Sequence, residues 1–151
     1  MISGLHIRPY RPGDEETVIE LWKACNLVVA HNNPRKDIRR KSQVNPEWFL
    51  IGEWDNQIVA TCMTGYEGHR GWINYLAVSP GRRRQGIAVR MMEEAEKLLR
   101  QAGCPKINLQ IRSTNVAVIA FYQSLGFKID EVVSMGKRLE IDEAPQGTPA
   151  K

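Results

Sequence analysis

The segment from Trp72 to Ile111 restricts the fold more than any other part of this 151-residue chain. It reads as an apolar strand to Val78, a basic turn containing glycine, a long amphipathic helix, and a second apolar strand over Lys106 to Ile111. Two strands joined by a helix are expected to lie parallel in one sheet, with a right-handed crossover. Ile87, Met91, Ala95, Leu98 and Ala102 mark one face of the helix. Glu93 with Lys97, and Glu96 with Arg100, support its outer side as i,i+4 pairs in the favourable order. Gly103 offers a left-handed stop and Pro105 blocks continuation. Near Gly86, where the helix starts, the first N–H groups have no partner earlier in the helix, which makes this end an anion site.

The flanking sequence supplies antiparallel strands. Leu5 to Tyr10 alternates as a half-buried strand with His6 facing solvent, and Pro12-Gly13 breaks it. Asp14 is expected to cap a first helix, with Glu15 and Glu16 in its first turn and Val18, Leu21, Trp22 and Cys25 on its inner face. Asn33-Pro34 opens a second helix to about Val44. Arg35, Lys36, Arg39, Arg40 and Lys41 leave it nearly polar all round, either as a solvated face or as a wall that attracts acidic substrates. Trp48 to Trp54 and Ile58 to Tyr66 read as a hairpin about Asp55-Asn56-Gln57, and the turn Glu67 to Gly71 extends it into a three-strand meander. A last helix is expected over Val116 to Leu125, with Val118, Phe121, Tyr122 and Leu125 facing inward. Val132 to Ile141 has a mixed strand pattern, and 142–151, with Pro145, Gly147 and Pro149, reads as a disordered tail.

At 42% hydrophobic and 25% charged residues the chain has the composition of one soluble domain, assigned to 1–141. It has neither an apolar run long enough to span a membrane nor the pattern of a signal peptide, which points to the cytoplasm. Cys25, Cys62 and Cys104 lack CxxC or His/Cys spacing, so neither a disulfide framework nor a metal site is expected. A net charge of +4 suits an acidic substrate or a soluble surface. Nucleic-acid binding through Arg35 to Lys41 would be generic and without sequence preference.

The basic turn lacks the Gly-Lys-Ser/Thr of a nucleotide-hydrolase loop and the GxGxxG of a dinucleotide fold. Its Arg83-x-x-Gly86-x-Ala88, followed downstream by Asn115 and Tyr122-Gln-Ser-Leu-Gly-Phe127, resembles the paired signatures of the GNAT N-acetyltransferases. Across Leu5 to Leu139 the chain is similar to small bacterial members of the YpeA type. The resemblance implies an α/β (α+β) fold: a mixed, mostly antiparallel sheet flanked by helices, whose central parallel strand pair diverges at the cofactor site. It implies acetyl-CoA as cosubstrate, with no metal. Main-chain groups of Leu76, Ala77 and Val78 would bind the pantetheine arm. Arg83, Arg84, Gln85, Gly86, Ile87, Ala88 and Val89 would cradle the pyrophosphate, with Asn115 and Tyr122 completing the site. Arg84 departs from the glycine common at its position and adds a cation near the 3′-phosphate.

Transfer to an amine needs a neutral nucleophile, a polarised thioester carbonyl and a proton for the departing thiolate. The resemblance gives the last role to Tyr122. Related ribosomal-protein acetyltransferases carry a glutamate where this chain has Gln110, which cannot serve as a base. Glu67, at a strand end, is the candidate base, with His69 second. The acceptor implied is an amine on a small molecule or a peptide, and a homodimer is open to such a chain. A different reading is an acyl-CoA-binding sensor without turnover.

Overall fold

The computed structural model describes residues 3–142. Its elements are β1 (Leu5–Pro9), α1 (Glu15–Ala24), α2 (Pro34–Lys41), β2 (Phe49–Trp54), β3 (Gln57–Tyr66), β4 (Gly71–Val78), α3 (Ile87–Gln101), β5 (Ile107–Asn108) and α4 (Val116–Ser124). One five-stranded sheet runs in the order β1-β2-β3-β4-β5, antiparallel except for the β4–β5 pair. The β2–β3 turn places Asp55 and Asn56 at φ 52° and 60°, as a two-residue hairpin turn that follows the twist of its strands requires.

Each face of the sheet carries its own apolar layer. Met91, Met92 and Ala95 of α3, with Tyr122 of α4, pack on Leu50, Ala60, Cys62 and Ile73. The inner face of α3 drifts from the expected one: Leu99 is buried, whereas Ala102 ends exposed at the C-cap. On the opposite face Val18, Leu21 and Trp22 of α1 and Ile38 of α2 pack on Phe49, Ile51 and Met63. Trp22 anchors this layer, fully buried, with its indole N–H donating to Thr61 Oγ1 at 2.9 Å.

Several expectations are corrected. Asp14 sits at the N-cap of α1 but makes no side-chain cap, because its carboxylate receives the Arg8 guanidinium at 2.8 and 2.9 Å and the Arg11 N–H. Helix α2 ends at Lys41, short of Val44. Glu93 and Lys97 do not pair, while Glu96–Arg100 (2.7 Å) and Arg90–Glu94 (3.5 Å) do. The expected strand over Val132 to Ile141 is absent: 128–141 runs without ladder bonds, and β5 is only two residues long. The parallel pair therefore lies at the edge of the sheet among the described residues, not at its centre. Of the expected tail only Asp142 is described, paired with Arg40 at 2.8 Å, and 143–151 lies outside the described residues.

Candidate functional site

The site starts where two strands part. β4 pairs with β5 only at Gly71↔Ile107 and Trp72↔Asn108, yet β4 continues to Val78. Its edge from Ile73 onward is left without a ladder partner on that side, ready to accept an extended ligand as an added strand. Within this edge the register with β3 shifts, from Thr61↔Ala77 to Met63↔Asn74, so that Cys62 faces both Tyr75 and Leu76. This is a β-bulge, and Tyr75 takes φ 51° to form it.

The bulge is held from the opposite face of the sheet. The Tyr75 ring stacks on Trp22 with centroids 3.7 Å apart, and its hydroxyl donates to Asp37 Oδ2 at 2.6 Å. Its carbonyl accepts from Thr61 Oγ1 at 2.8 Å. Burial, followed by Asp37, pushes the Tyr75 phenol well above its usual range. Sequence reasoning missed this clamp, since Tyr75 fits the strand alternation and nothing local marks a bulge.

Beyond Val78 the chain turns through Pro80–Arg82 into α3. Arg84 and Gly86 adopt φ 63° and 81°, left-handed values that glycine alone takes without strain. The first intrahelical bond of α3 runs from Arg90 N–H to Gly86 O at 3.1 Å. The N–H groups of Ile87, Ala88 and Val89 thus have no helical partner, no side chain caps them, and no acidic residue occupies the first turn. Arg83 and Arg84 stand exposed beside them; Arg83 Nε reaches Val78 O at 3.4 Å, and Arg82 lies 4.9 Å over the Trp54 ring. Gln85 is exposed in the same turn. An uncapped helix start with adjacent cations binds phosphate oxygens.

Tyr122 joins this region from α4. It is 7% exposed and meets Phe121 and Phe127 edge-on at 5.1 and 5.4 Å. Burial, with the Cys62 thiol nearby, raises the phenol well above its usual value, so the hydroxyl is protonated at neutral pH. Its side chain lines the cavity between α4, β5 and the segment after Phe127. Asn115 is exposed and caps α4 through Val118 N–H at 3.3 Å.

The structure brings Leu76, Val78, Ile87 and Tyr122 into one apolar cluster. Ala77 faces the α1 layer. It does not bring Glu67 there. Glu67 lies in the β3–β4 turn, beyond the far end of β4, and the eight residues of that strand span about 23 Å. Its carboxylate is taken up by the N–H groups of Arg70 and His69, which with the nearby charges hold it below the usual range. His69 is exposed in the same turn. The basic residues of α2 are mostly spoken for: Arg35 by Glu15 and Glu16, Arg40 by Asp37 and Asp142, Lys36 by Glu140. Lys41 donates to Thr64 O at 2.6 Å, and burial lowers its ammonium below the ordinary lysine range. Among the described residues no helix is long and apolar enough to cross a membrane, and no His/Cys/Asp/Glu group of three is placed to hold a metal.

The profile of the acetyltransferase (GNAT) family matches residues 15–127. A protein of Yersinia enterocolitica named as an acetyltransferase is 41% identical over 139 residues, 92% of this chain and 99% of that protein. The solved structure of Ard1 from Thermoplasma volcanium superposes with a TM-score of 0.73 at 23% identity, covering 84% of each chain. An AAC(6')-Iy structure in complex with the bisubstrate analogue CoA-S-monomethyl-acetylneamine gives a TM-score of 0.73 at 18% identity, over 90% of this chain and 99% of that one.

Proposed function

The chain belongs to the acetyltransferase (GNAT) family, and we propose that it transfers an acetyl group from acetyl-CoA to a primary amine of a small molecule or peptide. The observation that carries this reading is the conjunction of an unpaired, bulged β4 edge with an uncapped α3 N-terminus at its end. One offers main-chain partners to a pantetheine arm, the other N–H donors and cations to a pyrophosphate, and both stand in the order that acetyl-CoA presents them. The residues present therefore fit the group. Similarity to a fold solved with a CoA-containing bisubstrate analogue supports it.

In this reading Leu76 and Val78 orient the arm, Ile87, Ala88 and Val89 bind phosphate oxygens, and Arg83, Arg84 and Gln85 flank them. When bound, acetyl-CoA supplies the acetyl group as a thioester with a thiolate leaving group. In this reading a main-chain N–H of the β4 edge would polarise the thioester carbonyl. Tyr122 holds the proton that a leaving thiolate requires, and burial keeps that proton in place at rest. Asn115 fixes the start of α4 and so the reach of Tyr122. Glu67 is assigned to the turn, since its carboxylate is engaged there. The amine loses its proton to water before attack. The free thiols Cys25, Cys62 and Cys104 suit the reducing cytoplasm.

The test is steady-state release of CoA thiol with a panel of amines. Turnover on at least one amine is the expected result. Tight acetyl-CoA binding without turnover on any acceptor would instead leave a sensing module.

A further inference from the structure

Helix α2 carries too little apolar surface to fix its own place. Of its eight residues only Pro34 and Ile38 are buried, so its seat on the sheet depends on polar ties. Arg35, paired with Glu15 and Glu16, and Lys41, bonded to Thr64 O, hold its two ends. The ties between them lead to the β4 bulge.

The series begins at Asp142, which is 6% exposed and carries a charge that the acetyl-transfer reading does not use. Its carboxylate accepts both arms of the Arg40 guanidinium, Nη2 at 2.8 Å and Nη1 at 3.1 Å, from a residue 102 positions earlier in the chain. It also accepts the Asn33 N–H at 3.3 Å, at the start of α2. Arg40 Nη1 donates in addition to Asp37 Oδ1 at 3.2 Å. The other Asp37 oxygen, Oδ2, accepts the Tyr75 hydroxyl at 2.6 Å. Asp142, Arg40, Asp37 and Tyr75 are therefore bonded in a row.

A two-armed guanidinium–carboxylate pair fixes a plane as well as a distance. Arg40 is otherwise an exposed side chain. Without Asp142 it is free to turn into solvent, and Asp37 loses the donor that fixes the tilt of its carboxylate. Tyr75 depends on that tilt. Its φ of 51° is left-handed backbone, which a residue other than glycine keeps only where several contacts enforce it. Trp22 holds the ring and Thr61 holds the carbonyl, while Asp37 is the hydroxyl's only hydrogen-bond partner among the described residues. Leu76 to Val78 follow directly, so the aim of their N–H groups depends on how the bulge is held.

We infer that Asp142, acting through Arg40 and Asp37, is a positioning residue for acetyl transfer: it holds the Tyr75 bulge in the geometry that aims the β4 edge at the thioester carbonyl. This inference rests on the acetyl-transfer reading. The three side chains act through the main chain of β4, and none of them is assigned a proton or a bond of the reaction.

The experiment is infrared spectroscopy of acetyl-CoA labelled with a heavy carbon isotope at the thioester carbonyl and bound to the full chain. The carbonyl band reads polarisation directly and needs no acceptor amine. In the wild type the band moves to lower frequency on binding. Asp142→Ala and Arg40→Ala each lose about half or more of that shift. Calorimetric affinity for acetyl-CoA stays within about threefold, because the α3 start is untouched. The double variant is no worse than the more affected single one, as links in series require. Arg35→Ala, which loosens the same helix away from the row, leaves the band in place. Circular dichroism and melting confirm folding, and Arg40→Ala, at an exposed position, decides the matter if Asp142→Ala does not fold. A band unmoved by the Arg40 and Asp142 variants, or moved as far by Arg35→Ala, overturns the proposal and leaves the acetyl-transfer reading standing. So does a wild type that binds acetyl-CoA without shifting the band. A wild type that fails to bind acetyl-CoA overturns both.

Discussion

Helices α2 and α3 both start beside clustered arginines, but only α2 closes its own N-terminus. Asn33 Oδ1 accepts from the N–H groups of Arg35 and Lys36 at 3.0 and 3.3 Å, and Pro34 removes a further donor. At α3 the corresponding position is Gly86, with no side chain to offer, and the next three N–H groups remain open. The cations differ in the same sense: Arg35 and Arg40 are paired with carboxylates, whereas Arg83 and Arg84 have no carboxylate partner among the described residues. An N-cap is worth about 1 kcal/mol. Leaving α3 without one forgoes that stability and leaves its N–H groups free for the anion proposed above, while α2 uses the same chemistry for structure.

The comparison is broken most severely by Gly86→Glu. A carboxylate at the open end, in a left-handed backbone position, is expected to weaken acetyl-CoA binding by about a hundredfold or more, read by calorimetry. Gly86→Ala separates the two causes, since it carries the backbone strain without the charge. Tyr122→Phe probes chemistry rather than binding: the turnover number falls by about a hundredfold with acetyl-CoA affinity nearly unchanged. Equal loss in both would remove Tyr122 from the proton-donating role. At the closed end, Asn33→Ala costs about 1 kcal/mol, read in chemical denaturation, with acetyl-CoA affinity unaltered. The smallest effect belongs to Glu67→Gln. Gln keeps an acceptor for the turn N–H groups but no basicity, so turnover stays within about twofold; a large drop would return Glu67 to the role of base.

Much of this was legible from the residues alone. The alternation of β1 to β4, the amphipathic face of α3 and the Asn33-Pro34 start are local signals, and each element formed within a few residues of its expected bounds. The open helix start was legible too, since a glycine with basic neighbours and no cap is a sequence property. The Tyr75 bulge was not, because it depends on a register slip against β3 and on Trp22 and Asp37, distant in sequence. The engagement of Glu67 was hidden for a similar reason: a carboxylate at a strand end looks available until its turn closes around it. The pattern at Val132 to Ile141 is strand-like, but a strand needs a partner edge as well as alternation.

Backbone amide NMR with acetyl-CoA as titrant tests the central claim most directly. The amides of Ile87, Ala88 and Val89, and those along Leu76 to Val78, are predicted to shift together, saturating at one equivalent. Those of Arg35 and Lys36, already bonded to Asn33, are predicted to stay still. Saturable binding that moves neither the α3 start nor the β4 edge would contradict the account.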